Sequence, residues 1–247
     1  MRLERPPRRS SAIPPAVGCG CLSLVMLCIA ATAAAVLLLP ALPGLALQVA
    51  GFQSQGSTAA VFDSAAVPPV PQVYNASAPA QAVIELGSFG SETLSAGQYS
   101  YSIAVGSDAS GGQLATVTFT ESDLMALCLQ RTTICGAGNG QVRGARFDLR
   151  PGGAVIYADV LVPQLGAWQN IGVVLRVDGS GRQLQAVGVD VGGALYAAPP
   201  NELGSILRDV ESAANDTLRQ LALSAGGSRY ALEQVRVDDT SVTLILR

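Results

Sequence analysis

Three pairs of acids are the first residues in this chain whose types could do chemistry: Glu121 with Asp123, Asp209 with Glu211, and Asp238 with Asp239. Neighbouring carboxylates can divide general-acid and general-base work when their surroundings pull their pKa values apart. The spacing here argues against that use. Glu121 and Asp123 follow Thr120 at the start of an expected helix, where acids satisfy free amides and the helix dipole. Asp238 and Asp239 fall in an expected hairpin turn. Asp209 and Glu211 lie two apart in a helical pattern and so occupy different faces.

The remaining inventory is equally poor in catalytic groups. The chain has no His, which removes the commonest general base and metal ligand. Its 15 basic residues are all Arg, so there is no Schiff-base or P-loop lysine. Serines and threonines therefore lack a partner that could activate them. Gly136-Ala137-Gly138-Asn139-Gly140 follows a helix and precedes a strand, the reverse of a dinucleotide loop. Asp178-Gly179-Ser180-Gly181 lacks the ligand spacing of an EF-hand and reads as a hairpin turn. Asn75-Ala76-Ser77 and Asn215-Asp216-Thr217 are glycosylation sequons only in a eukaryotic host. No catalytic residue, metal ligand or cofactor is expected, and the chain is not expected to be an enzyme.

Function must then come from architecture, which starts with one long apolar run. Residues 16–39 carry no charge, enough to span a bilayer core of about 20 residues, and Arg2, Arg5, Arg8 and Arg9 precede them. The expectation is a single-pass protein of the plasma membrane: a cytoplasmic basic tail over 1–15, a transmembrane signal-anchor over 16–39, and everything after it extracytoplasmic. A cleaved secretory signal is the rival reading, with Gly44-Leu45-Ala46 as the cleavage region. Residues 40–81 are rich in Pro, Ala and Ser and read as a linker. Residues 82–247 form one domain of ordinary size. Only Glu4 is acidic before Gln53, so the exported part is more acidic than the net −3 of the whole chain. That balance speaks against nucleic acid as a partner. Of the five cysteines, Cys19, Cys21 and Cys28 lie in the apolar run. Cys128 and Cys135 lie in the domain, where an oxidising compartment favours a disulfide; two separately buried thiols are the alternative.

Within 82–247 short strands alternate with glycine-rich turns. Strands are expected over 82–86, 98–105, 114–119, 142–149, 154–162, 171–178, 183–191, 230–237 and 241–246. Thr120 caps a helix over 121–130. A longer helix follows Pro199-Pro200-Asn201, with Leu203, Ile206, Leu207, Val210, Ala214, Leu218 and Leu221 on one stripe, and Gly226-Gly227 stop it. Such a stripe must be buried against something. The expected fold is α+β, with a curved antiparallel sheet packed on a long amphipathic helix.

The order of elements resembles the YpmS-like single-pass bacterial envelope proteins. The resemblance begins at Thr116-Val117-Thr118-Phe119-Thr120-Glu121-Ser122-Asp123-Leu124-Met125-Ala126-Leu127 and runs over roughly 113–247, with Met125 where that family usually has Asn. No activity is established for the family. At the level of fold, a long helix cradled by a curved sheet looks like half of a tubular lipid-binding module, whose groove holds acyl chains.

Two readings of function follow. In the first, the domain binds an apolar ligand such as a lipid in a groove beside Leu203, Leu207, Val210 and Leu218, with Trp168 and Tyr196 at its lips. In the second, it is an envelope scaffold or protein-interaction module. The expected partners are the lipid bilayer, an apolar ligand, and other envelope proteins. Trp168, the lone tryptophan, is either a core or rim anchor or a contact in the groove or at the membrane interface.

Overall fold

The computed structural model describes residues 53–63, 67–87, 90–95, 101–131, 133, 135–138, 140–162, 167–197 and 202–247. Among these, fourteen strands and three helices appear, and the strands form two antiparallel sheets. The expected α+β fold built on one sheet is corrected: the protein is mostly β. The expected membrane-spanning helix over 16–39 lies outside the described residues. Among the described residues no helix is long and apolar enough to cross a membrane. The single-pass, signal-anchor and plasma-membrane assignments are corrected accordingly, and nothing below rests on them.

In chain order the elements are β1 (Gln53–Ser57), α1 (Ala59–Phe62), β2 (Tyr74–Ser77), β3 (Gln81–Leu86), β4 (Ser91–Ser95), β5 (Ser102–Ser107), β6 (Gln113–Thr120), α2 (Glu121–Arg131), β7 (Val142–Arg150), β8 (Gly153–Val162), β9 (Ala167–Val177), β10 (Leu184–Val191), β11 (Ala194–Ala197), α3 (Glu202–Gln220), β12 (Leu221–Ala225), β13 (Ser228–Val237) and β14 (Ser241–Leu246). One sheet has six strands in the order β1-β11-β10-β9-β8-β7. The other has eight, in the order β2-β5-β6-β14-β13-β12-β3-β4. Helix α2 carries the chain from the second sheet to the first, and α3 carries it back.

Local chemistry explains most of the boundaries. At the start of α2, the Asp123 amide donates to Thr120 Oγ1 at 3.3 Å, while the Thr120 amide donates to Asp123 Oδ2 at 2.8 Å. This reciprocal pair satisfies two groups that a helix start leaves open. Gly192-Gly193 and Gly226-Gly227 have φ of 63° and 86°, and of 60° and 84°. Positive φ at both central residues makes tight hairpin turns that match the twist of the flanking strands. Gly226-Gly227 therefore joins β12 to β13 and does not stop a helix. Leu221-Ala222-Leu223 leaves the helical stripe because β12 is an inner strand between β3 and β13, which buries both of its faces.

Helix α3 is amphipathic, but it is not cradled in one apolar sheet face. Asn215 accepts from the Leu184 amide at 2.8 Å and donates to the Leu184 carbonyl at 2.9 Å, and Glu211 accepts from the Ala186 amide at 2.9 Å. β11 reaches only as far along β10 as Val189, so α3 takes the place of a missing strand beside residues 184–186. Leu207 joins the core of the six-stranded sheet, with Val173 and Val189. Leu218 packs against the core of the eight-stranded sheet, with Leu223 and Leu246. The helix bridges two cores, and this is the physical reason the one-sheet expectation fails. Cys128 and Cys135 are joined by a disulfide with Cα atoms 5.8 Å apart, tying the end of α2 into the first core.

The stretch read as a linker contributes three elements. β1 adds to β11 at the edge of the six-stranded sheet, and α1 follows it. β2 adds to β5 at the edge of the eight-stranded sheet. Edge strands need backbone partners more than apolar side chains, so composition hides them.

Candidate functional site

Strict alternation along β8 and β9 assigns their residues to two faces. Ile156, Ala158 and Val160 on β8, and Ile171 and Val173 on β9, lie in the first core. The residues between them form the outer face. Register across the strands puts Arg146, Tyr157, Gly172, Asp190 and Leu195 in one row, from β7 to β11.

The row works as a unit. The Tyr157 ring lies over Gly172, where a Cβ would come within 2.8 Å of a ring carbon. Only a glycine lets the ring lie that flat. Arg146 stacks on the ring, 4.9 Å from its centroid, and donates to Asn170 Oδ1 at 3.0 Å. Asn170 in turn donates to Asp159 at 3.0 Å. Arg143 lies over the Trp168 ring at 3.9 Å. Two stacked Arg–aromatic pairs thus stand side by side, held by an amide and a carboxylate. Such contacts are worth about 0.5–1 kcal/mol each at exposed positions.

A cleft of about 520 Å³ opens beside this row, walled by Glu121, Arg146, Asp148, Tyr157, Asn170 and Asp190. Each of its acids has structural work. Glu121 accepts from the Leu149 amide at 2.7 Å and so covers an otherwise open group on edge strand β7. Asp148 pairs with Arg150 at 2.8 Å. Asp190, 1 % exposed, accepts from the Thr58 hydroxyl and from the Gly193 amide. Burial pushes the Tyr157 hydroxyl up to about 12, with the charges on Asp190 and Asp148 adding to the shift and Arg150 opposing it. The phenol therefore stays protonated and serves as a donor throughout the physiological range. Among the described residues no group of three or more His, Cys, Asp or Glu could hold a metal ion.

Glu121 walls the cleft, but the other described acids of the three pairs fall elsewhere. Asp123 serves the cap of α2. Asp238 holds its own turn through the amides of Thr240 and Ser241. Glu211 holds β10, while the side chain of Asp209 lies outside the described residues. Asp178 likewise closes its hairpin, accepting from the Ser180 hydroxyl and from the amides of Arg182 and Gln183. Asn215 of the second sequon is 9 % exposed and bonded to β10.

Of the residues expected to line an apolar groove, the four described ones fall in three places. Leu207 and Tyr196 are buried in the first core, Leu218 belongs with the second, and Trp168 lies on the outer face under Arg143. The side chains of Leu203 and Val210 lie outside the described residues. Sequence reasoning passed over Arg143, Arg146, Tyr157 and Asp190. The polar alternation of β7 and β8 was the available signal, but the bulge between Arg143 and Arg146 hides it. No protein-family model, no curated protein and no solved structure matches the chain.

Proposed function

We propose that this chain is a non-catalytic protein-interaction module that engages a partner through the open part of the outer face, around Arg143, Arg146, Tyr157, Asn170 and Trp168. One observation carries the reading: the two Arg–aromatic pairs are already stacked in the free chain, with Arg146 hydrogen-bonded to Asn170 and Arg143 paired with Asp159. Trp, Tyr and Arg dominate the energetics of protein interfaces. Side chains fixed before binding lose less entropy on association, where each mobile one would cost about 0.5–1.5 kcal/mol. The cleft alongside is walled by polar groups, which suits a protein surface better than an acyl chain.

The test is site-specific photocrosslinking of the full chain in its own cells. A probe at Asn170 is expected to give a discrete protein adduct that disappears with Arg146→Ala or Trp168→Ala. A probe at Arg229, on the other sheet, is the control. No adduct at Asn170, together with lipid uptake by the full chain in native mass spectrometry, would replace this reading with the apolar-ligand one.

A further inference from the structure

The other part of the outer face is apolar, and the chain's own N-terminal described segment covers it. Val155, Val174 and Leu195 are at most 3 % exposed. They form a third cluster, separate from both main cores, whose other buried member is Phe62 of α1. Gly153 makes the seat, since a Cβ there would come within 2.8 Å of the Phe62 ring.

The covering segment is held by few attachments. All five residues of β1 are exposed, and its ladder with β11 is interrupted between Ser54 and Gly56. The Thr58 amide donates a hydrogen bond to the Gly193 carbonyl at 3.0 Å, and its hydroxyl donates one to Asp190. Phe62 is the one large side chain of the segment that is fully buried. Even so the fit is loose: a cavity of about 130 Å³ remains between Thr58, Ala59 and Phe62 on one side and Val155, Tyr157 and Asp190 on the other. Beyond Asp63 the chain runs through Pro68, Pro69 and Pro71, and residues 67–73 join no ladder. The described residues 67–73 that follow the segment thus lie outside both sheets.

An extended strand added to a sheet edge, followed by one aromatic anchor in a pocket, is a recognised mode of peptide binding. Here the peptide is supplied in cis. We infer that residues Gln53–Phe62 form an exchangeable strap, and that the groove under it is a strand-addition docking site for the same segment of a second copy of this chain. The chain's own segment already fits the groove, and a reciprocal exchange between two copies closes with two-fold symmetry and creates no new contact type. The inference is independent of the reading of the open part of the face.

A labelled peptide spanning 53–63 tests it on the full chain. The peptide is expected to bind the Phe62→Ala chain on the order of 100-fold more tightly than the wild-type chain, because weakening the cis strap by a buried Phe→Ala change removes a competitor. A peptide carrying the same Phe62→Ala change is expected not to bind either chain. Ser57 and Ala194 are direct ladder partners. A Ser57→Cys/Ala194→Cys chain, with Cys19, Cys21 and Cys28 changed to Ala, should lock the strap in cis and refuse the peptide. In light scattering the wild-type chain is expected to populate a dimer as concentration rises, and the locked chain to stay monomeric. Failure of a folded Phe62→Ala chain to take the peptide overturns the groove. Peptide binding without any dimer overturns the second copy as its occupant and points to a strand from another protein. The result does not turn on Arg146, so loss of photocrosslinking at Asn170 and loss of peptide binding are separate failures.

Discussion

On the inner face of the six-stranded sheet, Ile156, Ala158, Val173 and Val189 are at most 4 % exposed and pack with Cys128, Cys135 and Leu207. One residue along on each strand, Tyr157, Asp159, Gly172 and Asp190 are held on the outer face by ring stacking and hydrogen bonds. The inner face gains from area removed from water, roughly 25 cal/mol per Å², and is indifferent to direction. The outer face depends on geometry, so each of its members is specific and few of them matter to stability. On the proposed reading, recognition belongs to the outer face and folding to the inner one.

The sharpest break in that comparison should come from Ile156→Ala against Asp159→Ala. The first is expected to cost about 2–5 kcal/mol in urea unfolding, and the second less than about 1 kcal/mol. Equal costs would end the division of labour between the faces. Replacing Cys128 and Cys135 together by Ser should cost about 2–3 kcal/mol, the entropy of the short loop they close. The loss should appear as a lower thermal midpoint under non-reducing conditions and shrink, when both proteins are compared in reductant, to the cost of two hydroxyls in the core.

Phe62→Ala should fall between the faces. About 1–3 kcal/mol is expected, below the 3–5 typical of a central Phe, because the strap can leave without opening either main core. Hydrogen exchange should quicken along β1 and β11 and stay slow in β8 and β9. Arg146→Ala is expected to shift stability by less than about 1 kcal/mol while abolishing the photocrosslink at Asn170. A large stability loss there would make the outer network structural.

The smallest effect should be that of pH near neutrality, since the chain has no His. The shifts that matter lie on the acid side. The Ser110 hydroxyl, helped by amides of Gly112 and Ser110 and by Arg247, holds Asp108 at about 2, against 3.8 for a free carboxyl. Glu85 is lowered by its hydrogen bond with Arg229. For Asp178 and Asp238 burial acts to raise the value, but the turn hydrogen bonds outweigh it and leave both lowered. A carboxyl lowered by folding contributes stability that is present above its unfolded pKa and lost as pH falls through its folded one. The melting temperature should be level between pH 5 and 8 and fall between roughly pH 4 and 2.

Much of the strand pattern was legible, and the reasons are local. Thr120 announces α2 through a hydroxyl and an acid three residues apart. β8, β9 and β14 show themselves as apolar runs between turn residues. β12 was not legible, because Leu221-Ala222-Leu223 continues the helical stripe of α3 and only its two strand neighbours make it extended. β1, β2 and α1 were hidden in a Pro/Ala/Ser-rich stretch whose single large buried anchor is Phe62. The candidate site was the least legible part, because its row is assembled from five different strands.

The sequence by itself determined the lack of His and Lys, the positions of most strands and turns, and the capping of α2. These depend on residue type or on neighbours a few positions away. Only the tertiary structure decided that there are two sheets and two main cores, that α3 bridges them, and that Arg146, Tyr157, Gly172 and Asp190 share a row. A slip of one residue in register turns every side chain of a strand to the opposite face. The bulges in β7 and β10 set that register, and they form only when the neighbouring strands are in place.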